Sequence, residues 1–402
     1  MHGSLKIGII THWSSEDNYG QKLQCFALQQ KLKMSGYDPY LIRYAPDKAS
    51  ETMKDKIIRN IKSFSLKRLM YLLSDERKKT IQTNKANRLL QEDNRRKNKE
   101  RRFEEFTNKN INLSTKVYRS IEELRKDPPK AVAYICGSDQ VWHDSYYEQN
   151  TAGWFLDFGN VPRISYAASI GRSIEEEEQS ILKKYLSRFT TISVRERGAL
   201  ETCLDAGIDG VRLMPDPTIL FESSDYEKWF LVDHADCLQQ KYLFLYIINI
   251  ECFGEKYWDR INGIATEKGL TLRATMSSGY IPAYEAFPGH PIELLTIPQW
   301  ISAVSNAEYV VTSSFHGVVF SILHHKKFVY IRTEGAYVAA NDRIDTLLNR
   351  LGIGNRDYTD EDLGAVLEKQ IDWIEVDRKL SELRNEADDF IKRSLNDECT
   401  IL

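Results

Sequence analysis

Short apolar runs of strand length alternate along this chain with stretches whose apolar residues recur at helical spacing. Leu5–Thr11 is the first run. A polar loop over 14–20 follows, then a helix from Gln21 to about Met34 with Leu23, Phe26 and Ala27 on one repeat. Gly36 stops that helix and Pro39–Tyr44 gives the next strand, a βαβ opening that predicts a parallel sheet with right-handed crossovers. Strands are expected again at Ala131–Cys136, Arg163–Ala168, Thr191–Val194 and Val211–Met214, with helices over Ile174–Ser187 and Gly198–Ala206. Residues 222–238 read as a linker. Beyond it the alternation restarts with strand Lys241–Asn249, helix Gly254–Glu267 and strand Thr271–Met276. Helix Pro298–Ser305, strand Glu308–Thr312, helix Gly317–His325, strand Phe328–Ile331 and helix Arg343–Leu351 complete it, and a charged helix covers Val376–Asn396.

The pattern predicts an α/β protein of two Rossmann-like domains facing a cleft. The expected boundaries are 1–225 and 239–375, with a terminal helix over 376–402. A chain of 402 residues exceeds the size at which one core keeps growing, which agrees with two domains. Residues 47–110 stand apart as a helical insert in the first domain. They carry 19 Lys/Arg against 10 Asp/Glu, whereas the whole chain carries a net −3. The favoured reading is a solvated helical hairpin edged by Phe103 and Phe106. The other is a basic face that meets an anionic membrane or a lipid-diphosphate-linked glycan.

Composition removes several function classes. A pI near 6.3 gives no general attraction to nucleic acid. No run approaches the roughly 20 apolar residues that span a bilayer, and the start lacks a signal-peptide pattern, so a cytoplasmic enzyme is expected, peripheral to the membrane only if the basic insert binds there. The six cysteines show no CxxC spacing, and Cys25, Cys136 and Cys203 read as small buried hydrophobes. No metal site is expected.

In paired αβ units, ligands bind beyond the carboxyl ends of strands, and the unusual clusters fall there. Asn18, Tyr19 and Gly20 open the first helix, where glycine admits close approach and free amides favour anions; simple capping is the alternative. Ser138, Asp139 and Gln140 follow the strand ending at Cys136, and Asp139 suits accepting sugar hydroxyls or acting as a base, against a plain loop-organising turn. Arg195 follows another strand, with a fork suited to carboxylate or phosphate, against an ion pair with Glu196 or Asp216. Ser314, His316 and Gly317 join a strand to a helix, a phosphate seat with a titratable group. Arg343 opens a helix, where its charge opposes the dipole and needs compensation.

Together these segments resemble the polysaccharide pyruvyl transferase family. The residues that carry the resemblance are Asp17-Asn18-Tyr19-Gly20-Gln21-Lys22-Leu23-Gln24, Gly137-Ser138-Asp139-Gln140-Val141-Trp142, Ser193-Val194-Arg195-Glu196, Asp216-Pro217-Thr218 and Ser313-Ser314-Phe315-His316-Gly317, in family order. The resemblance implies a GT-B-like fold and transfer of pyruvate from phosphoenolpyruvate, as a ketal, to two hydroxyls of a hexose. It implies no cofactor beyond that donor, and a sugar acceptor, free or lipid-linked. Arg195 and His316 match the family's donor-engaging positions. Phe315 departs from the commoner Arg or Lys, and Arg343 stands where the family often has Lys. A nucleotide-sugar glycosyltransferase of the same fold is the main rival, with Glu308 as the acid available to grip a ribose. A non-catalytic glycan-binding protein is the third reading.

Overall fold

The structure is a computed structural model that describes residues 5–46, 92, 95–143, 146, 150–230, 240–248, 254–277, 292–358 and 363–399. Its first half runs β1 (Lys6–Ile10), α1 (Tyr19–Met34), β2 (Asp38–Tyr44), α2 (Phe103–Asn110), β3 (Leu113–Tyr118), α3 (Ile121–Lys126), β4 (Ala133–Cys136), α4 (Thr151–Trp154), β5 (Arg163–Ser165), α5 (Glu176–Leu186), β6 (Ser193–Val194), α6 (Arg197–Asp205) and β7 (Arg212–Leu213). Five strands form a parallel sheet in the order β3-β2-β1-β4-β5. The parallel pair β6–β7 extends it through the bridges Ile164↔Thr191 and Ala168↔Val194. Order reverses between β1 and β4, and a crevice opens there beyond the strand ends.

The second half runs α7 (Ser223–Phe230), β8 (Tyr242–Ile247), α8 (Gly254–Glu267), β9 (Thr271–Met276), α9 (Ile297–Ser305), β10 (Tyr309–Thr312), α10 (Phe315–Leu323), β11 (Lys327–Tyr330), α11 (Asp342–Leu351), α12 (Leu363–Glu368) and α13 (Trp373–Cys399). Its parallel sheet has the order β11-β10-β8-β9, and its reversal lies between β8 and β10. Two doubly wound α/β domains follow, as the alternation predicted.

The helices that start at the two reversal points, α1 and α10, pack against each other at the seam. Both are buried over most of their length because each is covered by its own sheet and by the other domain; α10 is apolar on nearly every side, whereas α1 buries Lys22, Gln24 and Gln29 as well. In α10 every residue from Phe315 to Leu323 is buried, and each large apolar side chain among them contributes about 1.5–3 kcal/mol. Helix α13 packs on α11 and on the turn Pro217–Leu220. Arg384 Nε donates to Ile219 O at 3.0 Å, and Lys31 of α1 pairs with Asp388, so the terminal helix ties both halves together.

Three expectations need correction. The solvated hairpin fails at its described end: Asn98, Arg101, Phe103, Phe106 and Thr107 are buried, while 47–91 lie outside the described residues. The first part of the expected linker is helix α7, whose Tyr226 is fully buried against Phe221, Trp229 and Phe320. Strand β3 was not anticipated. Its middle residues Ser114, Thr115 and Lys116 are polar, so the run lacks the apolar signal of the others.

Candidate active site

The loops after β1 and β4 face the loop between β10 and α10 across the cleft. Gly137 N donates to Ile10 O at 2.8 Å and Thr11 Oγ1 to Ser138 O at 2.5 Å, fixing the two first-domain loops side by side. Asp139 follows with a φ of 86°, a conformation rare for a side chain with a Cβ, and such strain concentrates at functional sites. Its carbonyl accepts from Val141 N and Ser169 N, at 2.8 and 2.9 Å, which holds the strained turn. Burial opposes ionisation of its carboxyl, yet the charges of His12, Arg195, His316 and Arg343 hold it below the usual carboxylate range.

Arg195 leaves β6 at a buried position. Its Nη1 donates to Asp216 Oδ2 at 2.6 Å and to Ser138 Oγ at 3.3 Å, so the anticipated ion pair exists. The fork is only half used. Nε and Nη2 are buried without a hydrogen-bond partner among the described residues, each with a carboxylate oxygen at 3.9 Å (Glu196 and Asp139), and the guanidinium lies 4.8 Å from the centre of the Phe315 ring. Arg343, in the first turn of α11, lies over that same ring at 5.9 Å and donates from Nε to Ala340 O at 3.2 Å. Burial and then the charge of Arg195 lower its affinity for its proton. Phe315, where the family commonly carries a cation, therefore serves as the platform for two cations from elsewhere.

Asp216 is the anion behind this arrangement. Oδ1 accepts from Thr218 N at 3.0 Å and Thr218 Oγ1 at 2.6 Å, while Oδ2 takes Ser138 Oγ at 2.9 Å and Arg195. Burial opposes its charge, but His316, Arg195 and the Thr218 hydroxyl hold its carboxyl far below the ordinary range. His316 Nε2 stands 3.6 Å from Asp216 Oδ1 and, though buried, has no hydrogen-bond partner.

Sequence also explains the placement of His316. Ser314 caps α10 by accepting from Gly317 N at 3.3 Å, so His316 sits within the first turn rather than ahead of the helix. Gly317 is needed because a Cβ there would overlap Thr312. Asn18 caps α1, accepting from Gln21 N at 3.1 Å, and also lines the cleft. A Cβ on Gly20 would overlap the His316 ring, so this glycine lets the start of α1 close on that ring. Ser313 fixes the opposite loop, exchanging hydrogen bonds with Ile248 O at 2.7 Å and Ile248 N at 2.8 Å.

The cleft thus gathers Asn18, Asp139, Gln140, Ser314, His316 and Arg343, with Arg195 and Ser138 beneath it. Tyr19 goes elsewhere. It is fully buried, stacked on Trp300 at 5.0 Å, and donates to Leu295 O at 2.8 Å, so it builds the seam rather than the cleft wall. Glu308 lies before β10 and pairs with Lys241 at the surface, at the opposite end of the strand from the cleft. His12 and Asp216 were missed as site residues; the signal for both was their place just past a strand end.

The profile of the family described as "Polysaccharide pyruvyl transferase" matches residues 18–335, taking in every cluster except Arg343. The chain belongs to that family. No curated protein matches it closely in sequence. Among solved structures, a putative UDP-N-acetylglucosamine 2-epimerase from Listeria monocytogenes is similar at 11% identity and TM-score 0.53, with 98% of each chain covered. A UDP co-structure of MnaA from S. aureus is similar at 13% identity and TM-score 0.50, covering 98% of this chain and 97% of that one. The Methanocaldococcus jannaschii UDP-GlcNAc 2-epimerase in complex with UDP-GlcNAc and UDP is similar at 11% and 0.50, covering 95% and 100%. At such identities the likeness concerns the fold, which is of GT-B type.

Proposed function

We propose that this pyruvyl transferase takes its pyruvyl group from phosphoenolpyruvate and places it as a ketal on two hydroxyls of a hexose destined for a cell-surface polysaccharide. The observation that carries this reading is the half-used cation pair. A buried guanidinium and a half-buried one share the Phe315 ring, and two donors of Arg195 have no hydrogen-bond partner among the described residues. Such a pair is stabilised by an anion with several acceptor oxygens. Phosphoenolpyruvate carries a carboxylate and a phosphate ester on the same carbon, one for each arginine.

The remaining groups suit the chemistry. Ketal formation needs a proton on the donor's methylene carbon and a cationic carbon open to a sugar hydroxyl. His316, beside Asp216, delivers that proton or steadies the departing phosphate. Asp139, kept ionised by its surroundings, takes a proton from an acceptor hydroxyl. Ser314, Asn18 and Gln140 line the space between and orient the reactants.

The test incubates the purified protein with phosphoenolpyruvate and a panel of lipid-linked or nitrophenyl hexosides, following phosphate release and product mass. The expected product gains one pyruvyl group with loss of phosphate, and disappears in Arg195→Ala. Transfer from a nucleotide sugar instead, with no use of phosphoenolpyruvate, overturns the reading.

A further inference from the structure

The reaction takes two protons off the acceptor. When two hydroxyls become one ketal, both lose their protons; one is replaced at the new methyl group and the other leaves with phosphate. His316 and Asp216 stand on the donor side, so the acceptor side needs a proton-handling group of its own. Asp139 is held in the charged form and is a weak base alone, which raises the question of what works with it.

His12 occupies the required place. It lies two residues beyond β1, on the first-domain side of the crevice between β1 and β4. Its Nε2 is 3.3 Å from Gln140 O, its ring tilts against Trp154 with centroids 4.7 Å apart, and its carbonyl accepts from Gln24 Nε2 at 3.3 Å. Gln24 also holds Thr11 Oγ1 at 3.0 Å, and Thr11 holds Ser138 O, so one network sets the ring beside the Asp139 turn. Among the charges that favour ionised Asp139, that of His12 is the largest.

We infer that His12 and Asp139 form an acceptor-side pair that binds a sugar hydroxyl between imidazole and carboxylate and removes its proton. This rests on the pyruvyl-transfer reading for the chemistry, but the binding half stands without it. In the step, the hydroxyl oxygen forms its bond to the donor's central carbon while its proton passes to the pair. When phosphate later leaves with the C–O electron pair it carries off the first proton, so that His12 and Asp139 are free to take the second hydroxyl's proton as the ring closes. That proton then restores the one given to the methyl carbon. The ligand class is a neutral diol: a hexose with two hydroxyls close enough to bridge one carbon. The donor-side His316 engages phosphoenolpyruvate, so the two histidines divide the substrates between the domains.

The experiment compares wild type, His12→Gln and His12→Ala in two readouts. The first is binding of nitrophenyl glucoside, galactoside and mannoside without donor, followed by tryptophan fluorescence, since Trp154 touches His12. Loss of the imidazole as a hydrogen-bond partner predicts about tenfold weaker binding in both variants. Equal affinities, or a wild type that binds none of the three, overturn the inference whatever the donor proves to be. The second readout is turnover with phosphoenolpyruvate. His12→Gln should raise KM for the acceptor and leave KM for phosphoenolpyruvate unchanged. The acid limb of its pH profile should move to higher pH, because Asp139 loses the charge that favours its ionised form. A purely structural role moves both KM values and leaves that limb in place, which refutes the pair. A wild type that binds hexosides in a His12-dependent way, yet ignores phosphoenolpyruvate, sinks the donor reading and spares the hydroxyl site.

Discussion

Asp216 sits where burial and charge oppose each other most strongly. It has no exposure, yet it stays ionised because Arg195, His316, Ser138 and Thr218 surround it. Removing its charge leaves Arg195 buried without its closest anion, so Asp216→Asn should cost about 3–5 kcal/mol in urea unfolding. Its folded pKa is depressed, so the stabilisation it supplies is fully present above its ordinary value of 3.8 and fades as pH falls toward the folded value. The wild type should therefore lose stability steeply below that pH, and Asp216→Asn should show a shallower slope; parallel slopes would contradict the assignment. Chemistry at His316 is a separate matter. His316→Asn preserves much of the shape but removes the imidazole, and should lower turnover about 10²–10⁴-fold while phosphoenolpyruvate still binds. Near-normal turnover would remove His316 from the proton path.

At the scale of elements, α1 and α10 place these groups, and glycine controls how closely they meet. Gly20→Ala introduces a methyl group into the His316 ring. Helix propensity favours alanine there, so secondary structure should survive while the ring is displaced. The expected result is a large fall in turnover, with circular dichroism unchanged; full activity would mean that the contact is not needed. Much of this framework was legible in the sequence, because β1, β8 and β10 carry apolar runs that a buried parallel sheet accommodates, and α1 repeats its apolar residues at helical spacing. The site loops were legible too, since small, acidic and basic residues interrupt those runs right after the strands. What escaped has physical reasons. β3 is half-exposed and polar, β6 and β7 have two residues each, and Tyr19 looked like a loop residue until α10 and α9 enclosed it. Asp216 registered as an ion-pair partner and a segment of the resemblance but not as a site residue, and His12 not at all, because a place just past a strand end says little until the facing loop is known.

At the scale of the molecule, Asp139 and Arg195 come from one domain and His316 and Arg343 from the other, so the site exists only when the seam is closed. Arg101, at the end of the basic insert, is the group best placed to keep it closed. It is fully buried, donates to Tyr19 Oη of the first domain, and reaches Thr275 Oγ1 at 3.2 Å and Met276 O at 2.6 Å in the second. Asn98 extends the link, accepting from Arg101 Nε at 3.1 Å and donating to Asp17 Oδ2 at 3.3 Å, one residue before the cleft-lining Asn18. Ser277 Oγ adds a bond to Asp17 O at 2.7 Å. A methionine fills similar volume but supplies no donors, so four buried acceptors lose the bond from Arg101. Arg101→Met should therefore cost roughly 2–4 kcal/mol in unfolding free energy. Because the lost bonds cross the seam, kcat/KM should fall further than this destabilisation explains, and small-angle scattering should report a larger radius of gyration below the unfolding transition. If stability falls but the radius and kcat/KM do not change, Arg101 anchors the insert alone and closure depends on the α1–α10 contact and the α13 strap.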